Sequence, residues 1–374
     1  MPADSLQSVS KASSSTRWIA LLGKRDEPTD GVEDYCGFLS DALSMHGIHL
    51  QCVRCSWEKD GWLRALWNLR RQSKEWRDSW VLLQYTAMAW SRRGFPVGVL
   101  AVERILRSHG ARCAVVFHEY SQQHEVASLV SGFRGAFQNA VIAKLYREAR
   151  HAIFTVPLEA VHWLPANSSK ARFIPIGANV PERLNGRLPP QSGGRKTVVV
   201  FGITGAPHTA REVEAIAGAV RHAAQSVRGL RLVLCGRGSA EAAGLIRDHL
   251  KTAGVDIVSK GVLPAAEIAN ELSSADAHLF VRGPITLQRG SALAGIACGV
   301  PVVGYRNGRV MPPLDEAGVA WTAPGDSRAL GENLLNVLTN DQNWADLHAR
   351  NVRLQQSYLS WNRIAQEYLK ALSQ

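Results

Sequence analysis

The sequence has no long apolar run, and this absence sets the first limits on its class. No segment reaches the length of a membrane-spanning helix. Residues 1–16 are polar, which predicts a disordered N-terminal lead and not a signal peptide. Cysteine is sparse, with six in 374 residues. The Cys52-Val-Arg-Cys55 pair has no second pair or histidine cluster near it, so we expect neither a zinc site nor a disulfide scaffold, as in a reducing cytoplasm.

Acidic residues are few relative to basic ones. The sequence has 43 Lys and Arg against 32 Asp and Glu, a formal net charge of +11. This excess predicts an anionic partner, which could be a nucleotide, a phospholipid surface or a nucleic acid. No recognised nucleic-acid module occurs, so we rank nucleic-acid binding last. No Asp-x-Asp motif occurs either, so we expect no divalent metal held by carboxylates.

The order of apolar segments predicts an α/β protein with two domains. Short apolar strands alternate with helical patterns, which is typical of open parallel sheets with helices on both faces. A linker rich in Pro and Gly interrupts the alternation at 181–196. The predicted units are a first domain at 17–180, a second domain at 197–355, and a last helical segment at 356–374 that could pack back across the first domain.

The predicted strands share a short apolar run. They are 18–22, 48–52, 81–84, 113–117, 152–156, 171–174, 198–201, 230–235, 255–259, 278–281 and 301–305. Ligands of doubly wound folds bind at the carboxyl ends of the strands, where loops lead into helix N-termini. We therefore expect a site in a cleft between the two domains.

The most informative loop lies between the strands at 278–281 and 301–305. It ends in Gln288-Arg289-Gly290-Ser291, and Ser291 is the predicted N-cap of a helix through Cys298. The N–H groups of a helix start attract anions, and the guanidinium of Arg289 suits phosphate. The loop therefore predicts a seat for a diphosphate. The alternative is a plain strand–helix connection in which Arg289 pairs with a surface acid.

Several segments, taken in order, resemble one enzyme family. In the second half they are LVLCGRGSAEAAGLI, GVLPAAEIANELSSAD, ADAHLFV, GSALAGIACGVPVVGY and GVAWTAPGDSRAL. In the first half they are Gly31-Val32-Glu33-Asp34-Tyr35, LLQYTAMAWSRRGFP and His118-Glu119. Over residues 17–370 the sequence thus resembles the family 4 (group 1) glycosyltransferases. The ordered series carries the resemblance, since no single motif would suffice.

This resemblance implies a GT-B fold, in which two Rossmann-like doubly wound parallel-sheet domains face a cleft. It implies transfer of a sugar from a nucleotide-diphosphate sugar to a glycan or lipid-linked acceptor, without a metal and with retention of anomeric configuration. The nucleotide sugar is a substrate, so no cofactor is expected. The resemblance further implies a role in bacterial surface polysaccharide synthesis. The sparse cysteines predict a cytoplasmic protein, and the basic, tryptophan-rich segment described below could contact the inner face of the membrane.

The resemblance also assigns residues to the predicted cleft. The donor-binding positions are Gly31, Gly202, Thr204, His208, Arg237, Val262, Leu263, Arg289, Gly290 and Ser291. The catalytic candidates are His118 and Glu119, and the acceptor-side candidates are Asp34, Tyr35, Gln84 and Tyr85. The His118 imidazole could donate a hydrogen bond to a sugar hydroxyl or orient the acceptor. The alternatives are a capping role for His118 and a simple loop turn at Gly31.

The sequence departs from the family pattern at four positions. Thr286 and Ala294 replace the usual Glu-x7-Glu pair, and the usual Arg and Lys would fall near Ile203 and His208. Arg289, with Arg237, could restore the lost positive charge. The missing groups support a second hypothesis from another class, a non-catalytic paralogue that binds a nucleotide sugar or a partner enzyme.

One segment of the first domain is rich in tryptophan and basic residues. Residues 57–90 hold six of the eleven tryptophans. Between 61 and 79, Trp62, Leu63, Leu66 and Leu69 form a helical stripe. Such helices can lie in a membrane interface, and the basic contacts would then be Arg70, Arg71, Lys74, Arg92 and Arg93. The alternative is that the stripe packs on the domain's own sheet.

Overall fold

The structure is a computed structural model that describes residues 16–27, 30–120, 129–165, 167–184, 194–204, 208–306 and 308–373. Within these ranges, twelve strands form two six-stranded sheets, and all neighbouring strands are parallel. The predicted architecture of two doubly wound α/β sheets is confirmed.

The first sheet has the strand order β2-β1-β3-β4-β5-β6. Its strands are β1 (Thr16–Leu22), β2 (Ile48–Arg54), β3 (Trp80–Tyr85), β4 (Arg112–Phe117), β5 (His151–Phe154) and β6 (Ala171–Phe173). The chain moves outward from β1 in one direction and then from β3 in the other. The order therefore reverses between β1 and β3, and ligands of such sheets bind at the carboxyl ends of these two strands.

The second sheet has the order β12-β11-β10-β7-β8-β9. Its strands are β7 (Thr197–Phe201), β8 (Arg231–Cys235), β9 (Asp256–Gly261), β10 (Ala277–Pro284), β11 (Val302–Tyr305) and β12 (Val319–Thr322). Here the order reverses between β7 and β10. The short edge strand β12 was absent from the sequence prediction.

Helices cover both faces of each sheet. Those that follow the first-sheet strands are α1 (Gly31–Ser44), the short α2 (Trp57–Asp60), α3 (Trp62–Gln72), α4 (Gly98–Ser108) and α5 (Leu129–Glu148). Those of the second half are α6 (Thr209–Ala224), α7 (Ser239–Leu250), α8 (Ala265–Ser274), α9 (Gly290–Ala297), α10 (Ser327–Thr339), α11 (Asp341–Leu354) and α12 (Trp361–Leu372).

Each sheet face carries one hydrophobic core. In β1, Ile19 and Leu21 point into the core under α3, α4 and α5, whereas Trp18, Ala20 and Leu22 point into the opposite core. Both faces of the strand are thus buried, which explains why it is an uninterrupted apolar run. In the second half, α6, α7, α10 and α11 cover one face and α8 and α9 cover the other.

The last helix, α12, packs on the first sheet beside α1. Its Ile364 and Tyr368 are fully buried in the core that also holds Leu39 of α1. Trp361 at its start donates from Nε1 to the carbonyl oxygen of Ala178 at 2.9 Å. A Cβ on Gly177 would lie 2.5 Å from the Trp361 ring, so only glycine permits this close crossing.

The structure of the tryptophan-bearing helix α3 corrects the predicted apolar stripe at one of its four residues. Leu69 is buried, and Trp62 and Leu66 pack against the same core, as expected if the stripe faces the domain's own sheet. Leu63, however, is 89% exposed. The α-helix also ends at Gln72 and tightens into a 3-10 turn, so the predicted helical pattern up to residue 79 was too long.

Candidate active site in the cleft

The two reversal points bring several loops to one cleft. Contacts cross it at three places. Gln288 Nε2 donates to the carbonyl oxygen of His118 at 2.5 Å, Asn179 Nδ2 donates to the carbonyl oxygen of Gly31 at 3.4 Å, and Arg237 lies 3.8 Å from Asp26. The carboxyl edges of the two sheets therefore face each other.

Three arginines meet on the second-domain wall of the cleft. Arg282 comes from the end of β10, Arg237 follows β8, and Arg289 precedes α9. Burial lowers the pKa of the Arg282 guanidinium, Glu212 opposes this effect, and Arg289 and Arg237 lower the pKa further. The three cations are thus close enough to repel one another, which is the electrostatic pattern of an anion site.

Thr204, in the loop after β7, connects this arginine cluster to α6. Its N–H donates to Oε2 of the buried Glu212 at 2.7 Å, and its Oγ1 accepts from Arg282 Nε at 3.3 Å. Gly202 has φ 79°, and a Cβ there would lie 3.0 Å from Arg282 Nη1. Gly202 and Thr204 therefore form the surface against which the Arg282 side chain packs. Gly205 of the same loop lies outside the described residues.

The helix start at α9 differs in detail from the prediction. Arg289 takes the N-cap position, Gly290 is the first helical residue, and Ser291 lies inside the first turn. Ser291 was therefore wrongly predicted to be the cap. No described side chain caps this helix start, so Gly290 and Ser291 present backbone N–H groups beside Arg289.

The positions of the missing glutamates carry no acid. Thr286 is exposed, and its Oγ1 accepts from the Gln288 N–H at 3.3 Å. Ala294 is fully buried in α9 and presents a methyl group to the core. Neither position therefore offers a carboxylate to a ligand in the cleft.

The remaining donor-side candidates lie on the same sheet edge. His208 stands at the start of α6, where its carbonyl oxygen accepts from the Glu212 N–H at 3.2 Å. Val262 and Leu263 follow β9, and Val262 is 61% exposed whereas Leu263 is half-buried. β9 is the outer strand of the sheet, so Val262 lies beyond the loop of Arg237 and away from the β7–β10 reversal point.

On the first-domain wall, the backbone of His118 is fixed at the end of β4. The side-chain Nε2 of His118 is hydrogen-bonded to Gln84 Oε1 at 2.8 Å. The Gln84 amide nitrogen in turn donates to the Leu82 carbonyl oxygen at 3.3 Å. Because the Gln84 oxygen can only accept, His118 Nε2 carries the proton and Nδ1 carries the lone pair. The ring therefore offers an acceptor, which corrects the expectation that it donates to a hydroxyl.

Burial keeps the His118 ring uncharged. Desolvation lowers its pKa to about 4, with Asp30 acting in the opposite direction. The ring edge-packs with Tyr35 at a centroid distance of 5.1 Å. At neutral pH, His118 is thus a fixed neutral hydrogen-bond acceptor on the first-domain wall.

Three of the predicted first-domain residues are structural. Tyr35 is buried, and its hydroxyl bonds the Tyr368 hydroxyl of α12 at 2.6 Å. Tyr85 is fully buried against Phe117. Glu119 accepts from the Ala87 N–H at 2.8 Å and braces the loop after β3, and burial raises its pKa. The predicted acceptor contacts of Tyr35 and Tyr85 are therefore wrong, because both side chains are used in packing.

Gly31 and Asp34 lie in the first turn of α1. Asp30 caps this helix by accepting from the N–H groups of Val32 and Glu33, so Gly31 begins a helix and does not lie in a glycine-rich loop. Asp34 is exposed, and its pKa is raised by desolvation and by Asp30 and Glu33. Arg237 of the opposite wall lowers that pKa, which places Asp34 at the cleft.

Sequence reasoning missed Arg282, Glu212 and Gln288 as site residues. Arg282 directly follows the apolar run at 278–281, as His118 directly follows the apolar run of β4, although β10 itself continues to Pro284. A charged residue that ends a buried strand was therefore an available signal. The contact of Gln288 with the opposite domain left no signal in the sequence.

Among the described residues, no group of three or more His, Cys, Asp or Glu side chains is placed to hold a metal ion. No helix in the described ranges has the length and apolar character needed to cross a bilayer.

Comparison with known proteins places the fold. No family model matches the sequence, and no curated protein matches it. Solved structures do match. HepE from Anabaena, in complex with UDP and glucose, has a TM-score of 0.64 at 14% identity, over 96% of this chain and 99% of that chain. Sucrose-phosphate synthase from Thermosynechococcus elongatus has a TM-score of 0.64 at 17% identity, over 95% and 98%.

A third solved structure, the lipopolysaccharide outer core galactosyltransferase WaaB, has a TM-score of 0.60 at 12% identity, over 96% of this chain and 99% of that chain. These are glycosyltransferases of the GT-B architecture. The likeness spans nearly the whole of each chain and both sheets. The predicted GT-B fold is therefore confirmed.

Proposed function

We propose that this protein is a glycosyltransferase that uses a nucleotide-diphosphate sugar. The observation that carries the proposal is the convergence of Arg237, Arg282 and Arg289 at the β7–β10 reversal point, beside the helix start of α9. A diphosphate placed there neutralises cations that otherwise repel one another. HepE was solved with UDP and glucose, so UDP is the first nucleotide to test.

In the proposed reaction, an acceptor hydroxyl oxygen bonds to the anomeric carbon, the bond from that carbon to the diphosphate breaks, and the hydroxyl proton is released. Negative charge grows on the leaving diphosphate. Arg282, Arg289 and the N–H groups at Gly290 and Ser291 stabilise it in place of a metal ion. His118 Nδ1 accepts a hydrogen bond from a hydroxyl of the bound sugar and so fixes the orientation of its ring.

The proposed acceptor is a glycan or a lipid-linked sugar held against the first-domain wall. By likeness to the family, we propose retention of anomeric configuration and a role in bacterial surface polysaccharide synthesis in the cytoplasm. Asp34 and the exposed first turn of α1 are the acceptor-side groups that remain available once Tyr35 and Tyr85 are assigned to packing.

A thermal-shift screen with UDP, GDP, ADP, dTDP and their common sugars tests the donor site. The nucleotide that binds, at a concentration of about a hundred times its Kd, should raise the melting temperature of the protein by a few degrees. The shift should disappear in Arg289→Ala. It should persist in Arg328→Ala, because Arg328 is exposed on α10 and pairs with Glu332. Absence of any shift with all nucleotides would contradict the proposal.

One observation favours a second function, a nucleotide-sugar-binding subunit without activity. Thr286 and Ala294 supply no carboxylate where the related enzymes carry two. The two functions differ in product formation. With the nucleotide sugar that stabilises the protein, release of free nucleoside diphosphate, alone or with an acceptor, identifies an enzyme. Arg289-dependent binding without any release identifies the subunit.

A further inference from the structure

Helix α3 has a second face that its own domain does not use. The buried side chains of the helix are Ala65 and Leu69, with Trp62 and Leu66 half-buried beside them. On another side, Leu63 is 89% exposed and Trp67 is 57% exposed. These two lie four residues apart, so they are neighbours on one side of the helix.

This face is also strongly basic. Arg64, Arg70 and Arg71 are exposed on α3, Lys74 is exposed just beyond it, and the helix itself contains no acid. The Arg71 guanidinium lies over the Trp67 ring, 4.7 Å from its centroid. We call Leu63, Arg64, Trp67, Arg70, Arg71 and Lys74 the α3 outer face. The nearest acids in sequence, Asp60 and Glu75, flank the face and do not lie within the helix.

The α3 outer face lies beside the cleft. β2 ends at the cleft edge with Arg54, which pairs with Asp30, and α3 begins eight residues later. The Trp57 indole Nε1 in α2 donates to the Ala89 carbonyl oxygen at 2.9 Å, and its ring stacks on Trp62 at the start of α3, so this start lies beside the loop after β3. That loop region also exposes Met88 and Val97, each 55%, and the basic Arg92 and Arg93.

We propose that the α3 outer face docks the protein on a bilayer that contains anionic lipids, with the first-domain rim of the cleft turned towards the membrane. A tryptophan that is apolar along its ring and polar at its nitrogen suits the headgroup region. Leu63 enters the acyl boundary, and the basic side chains contact lipid phosphates. The proposal does not depend on the transfer reaction.

Anionic lipid fits this face better than other partners. Two exposed apolar side chains on a convex helix cover far less area than a stable protein interface buries. Binding to a nucleic acid would give the nearly fully exposed Leu63 no role. A lipid surface uses the apolar and the basic side chains at once.

The first test is sedimentation with vesicles of phosphatidylcholine alone and of phosphatidylcholine with a third phosphatidylglycerol. The protein should bind the anionic vesicles, bind less as salt rises, and not bind the neutral ones. Arg70→Gln with Arg71→Gln should lower the partition coefficient about 25-fold, since each basic residue contributes about fivefold. Leu63→Ser with Trp67→Ser should abolish binding or nearly so.

A matched control lies in the second domain. Leu245 is 49% exposed on α7, and Arg247 is exposed on the same helix. Leu245→Ser with Arg247→Gln removes one apolar and one basic side chain and should leave vesicle binding unchanged. All variants should keep the wild-type melting temperature and nucleotide shift, because the α3 outer face contacts neither the core nor the arginine cluster.

Three outcomes would overturn the proposal. They are equal binding to neutral vesicles, wild-type binding by the Leu63→Ser/Trp67→Ser variant, and a loss of binding in the Leu245 control as large as in the α3 variants. Sedimentation velocity without vesicles adds a fourth. If the Leu63 and Trp67 changes convert a dimer to a monomer, the partner of this face is a second copy of the chain and not lipid.

Discussion

The two walls of the cleft are built alike but treat their charges differently. The first-domain wall pairs its charges internally, with Arg25 on Glu33 at 3.1 Å and Arg54 near Asp30 at 3.4 Å. On the second-domain wall, Arg282 shares Glu212 with Thr204, and Arg237 reaches across the cleft to Asp26. The cations of the first wall are thus paired with acids of the same wall, and Asp26 remains to pair with Arg237, whereas the second wall has more cationic than anionic groups.

Under the proposed function, this difference divides the donor between the two walls. A wall whose arginines are already paired with its own acids suits a neutral ligand such as a sugar, because those arginines are not available to a phosphate. A wall with an excess of guanidinium groups suits a diphosphate. Asp26 and the ligand phosphates would compete for Arg237, so donor binding and the contact between the walls are coupled.

The largest expected effect comes from removing Arg282. In Arg282→Met the side-chain stem remains and the guanidinium is lost, so UDP, or whichever nucleotide binds, should lose about a hundredfold in affinity, the value of a buried charge-assisted hydrogen-bond pair. Arg282→Lys keeps the positive charge but not the paired N–H donors of the guanidinium, so its nucleotide affinity should fall by less than that of Arg282→Met. Isothermal titration calorimetry measures both. If Arg282→Met binds like the wild type, the cluster is not the phosphate site.

His118 tests the other wall. His118→Ala removes a neutral hydrogen-bond acceptor and should lower kcat about tenfold while leaving the Kd of the nucleoside diphosphate unchanged. Gln84→Leu leaves the ring in place but removes the partner of Nε2, so its effect should be smaller. Steady-state kinetics beside calorimetry separates the two quantities. A weakened nucleotide Kd in His118→Ala would mean that the walls do not divide the substrate as proposed.

Two histidines at strand ends, His118 and His278, also differ in whether their ring nitrogens have hydrogen-bond partners. His118 has Gln84 as a partner, whereas neither ring nitrogen of His278 at the start of β10 has a partner among the described residues. Burial lowers the pKa of His278 to about 3. The unfolded chain takes up a proton near pH 6.5 and the folded chain does not, so His278 makes stability fall as pH drops from about 6.5 towards 3.

Urea unfolding at pH 7 and pH 4.5 measures this effect. A pKa that stays below 4.5 costs about 2 to 3 kcal/mol between the two pH values. His278→Leu should reduce the loss of stability on acidification by about that amount. His49→Gln, at an exposed position on β2, should not change it. Identical pH dependence in His278→Leu and in the wild type would show that this histidine protonates without unfolding.

The smallest effect concerns Tyr35, whose predicted acceptor contact the structure replaces with a bond to Tyr368. Tyr368→Phe leaves the buried Tyr35 hydroxyl without this partner and should cost about 1 to 2 kcal/mol of stability. The double variant Tyr35→Phe/Tyr368→Phe should recover part of that loss. Denaturation of all four forms completes a double-mutant cycle. A raised acceptor KM in Tyr35→Phe, at unchanged stability, would restore the acceptor role.

Much of this fold was readable from the sequence because its parallel strands are buried on both faces. Runs such as those of β1 and β3 stand out as continuous apolar segments, and the ordered family resemblance predicted the GT-B fold. The strand order was not readable, since it depends on pairing between distant segments. β12 was missed because an edge strand of four residues, with Ala320 and Trp321 only partly buried, shows a weak pattern.

The site was predicted less well than the fold. Arg289 and His118 were singled out because each lies next to a recognisable strand or helix end. Tyr35 and Tyr85 were misassigned because sequence position places a residue near the cleft but does not say which way its side chain points. Arg282 was overlooked because the predicted strand ended at residue 281, and the arginine after it was taken as an ordinary loop residue.

The double crossing of the chain has a mechanical consequence. Residues 174–178 and 359–361 both pass from one core to the other, and they are joined by the Trp361–Ala178 bond and by Gln355 Nε2 on Glu182 at 3.0 Å. The two crossings are bonded to each other, so the halves are connected along one line. We therefore expect any relative motion of the halves to be a rotation about that line, which would separate Gln288 from His118.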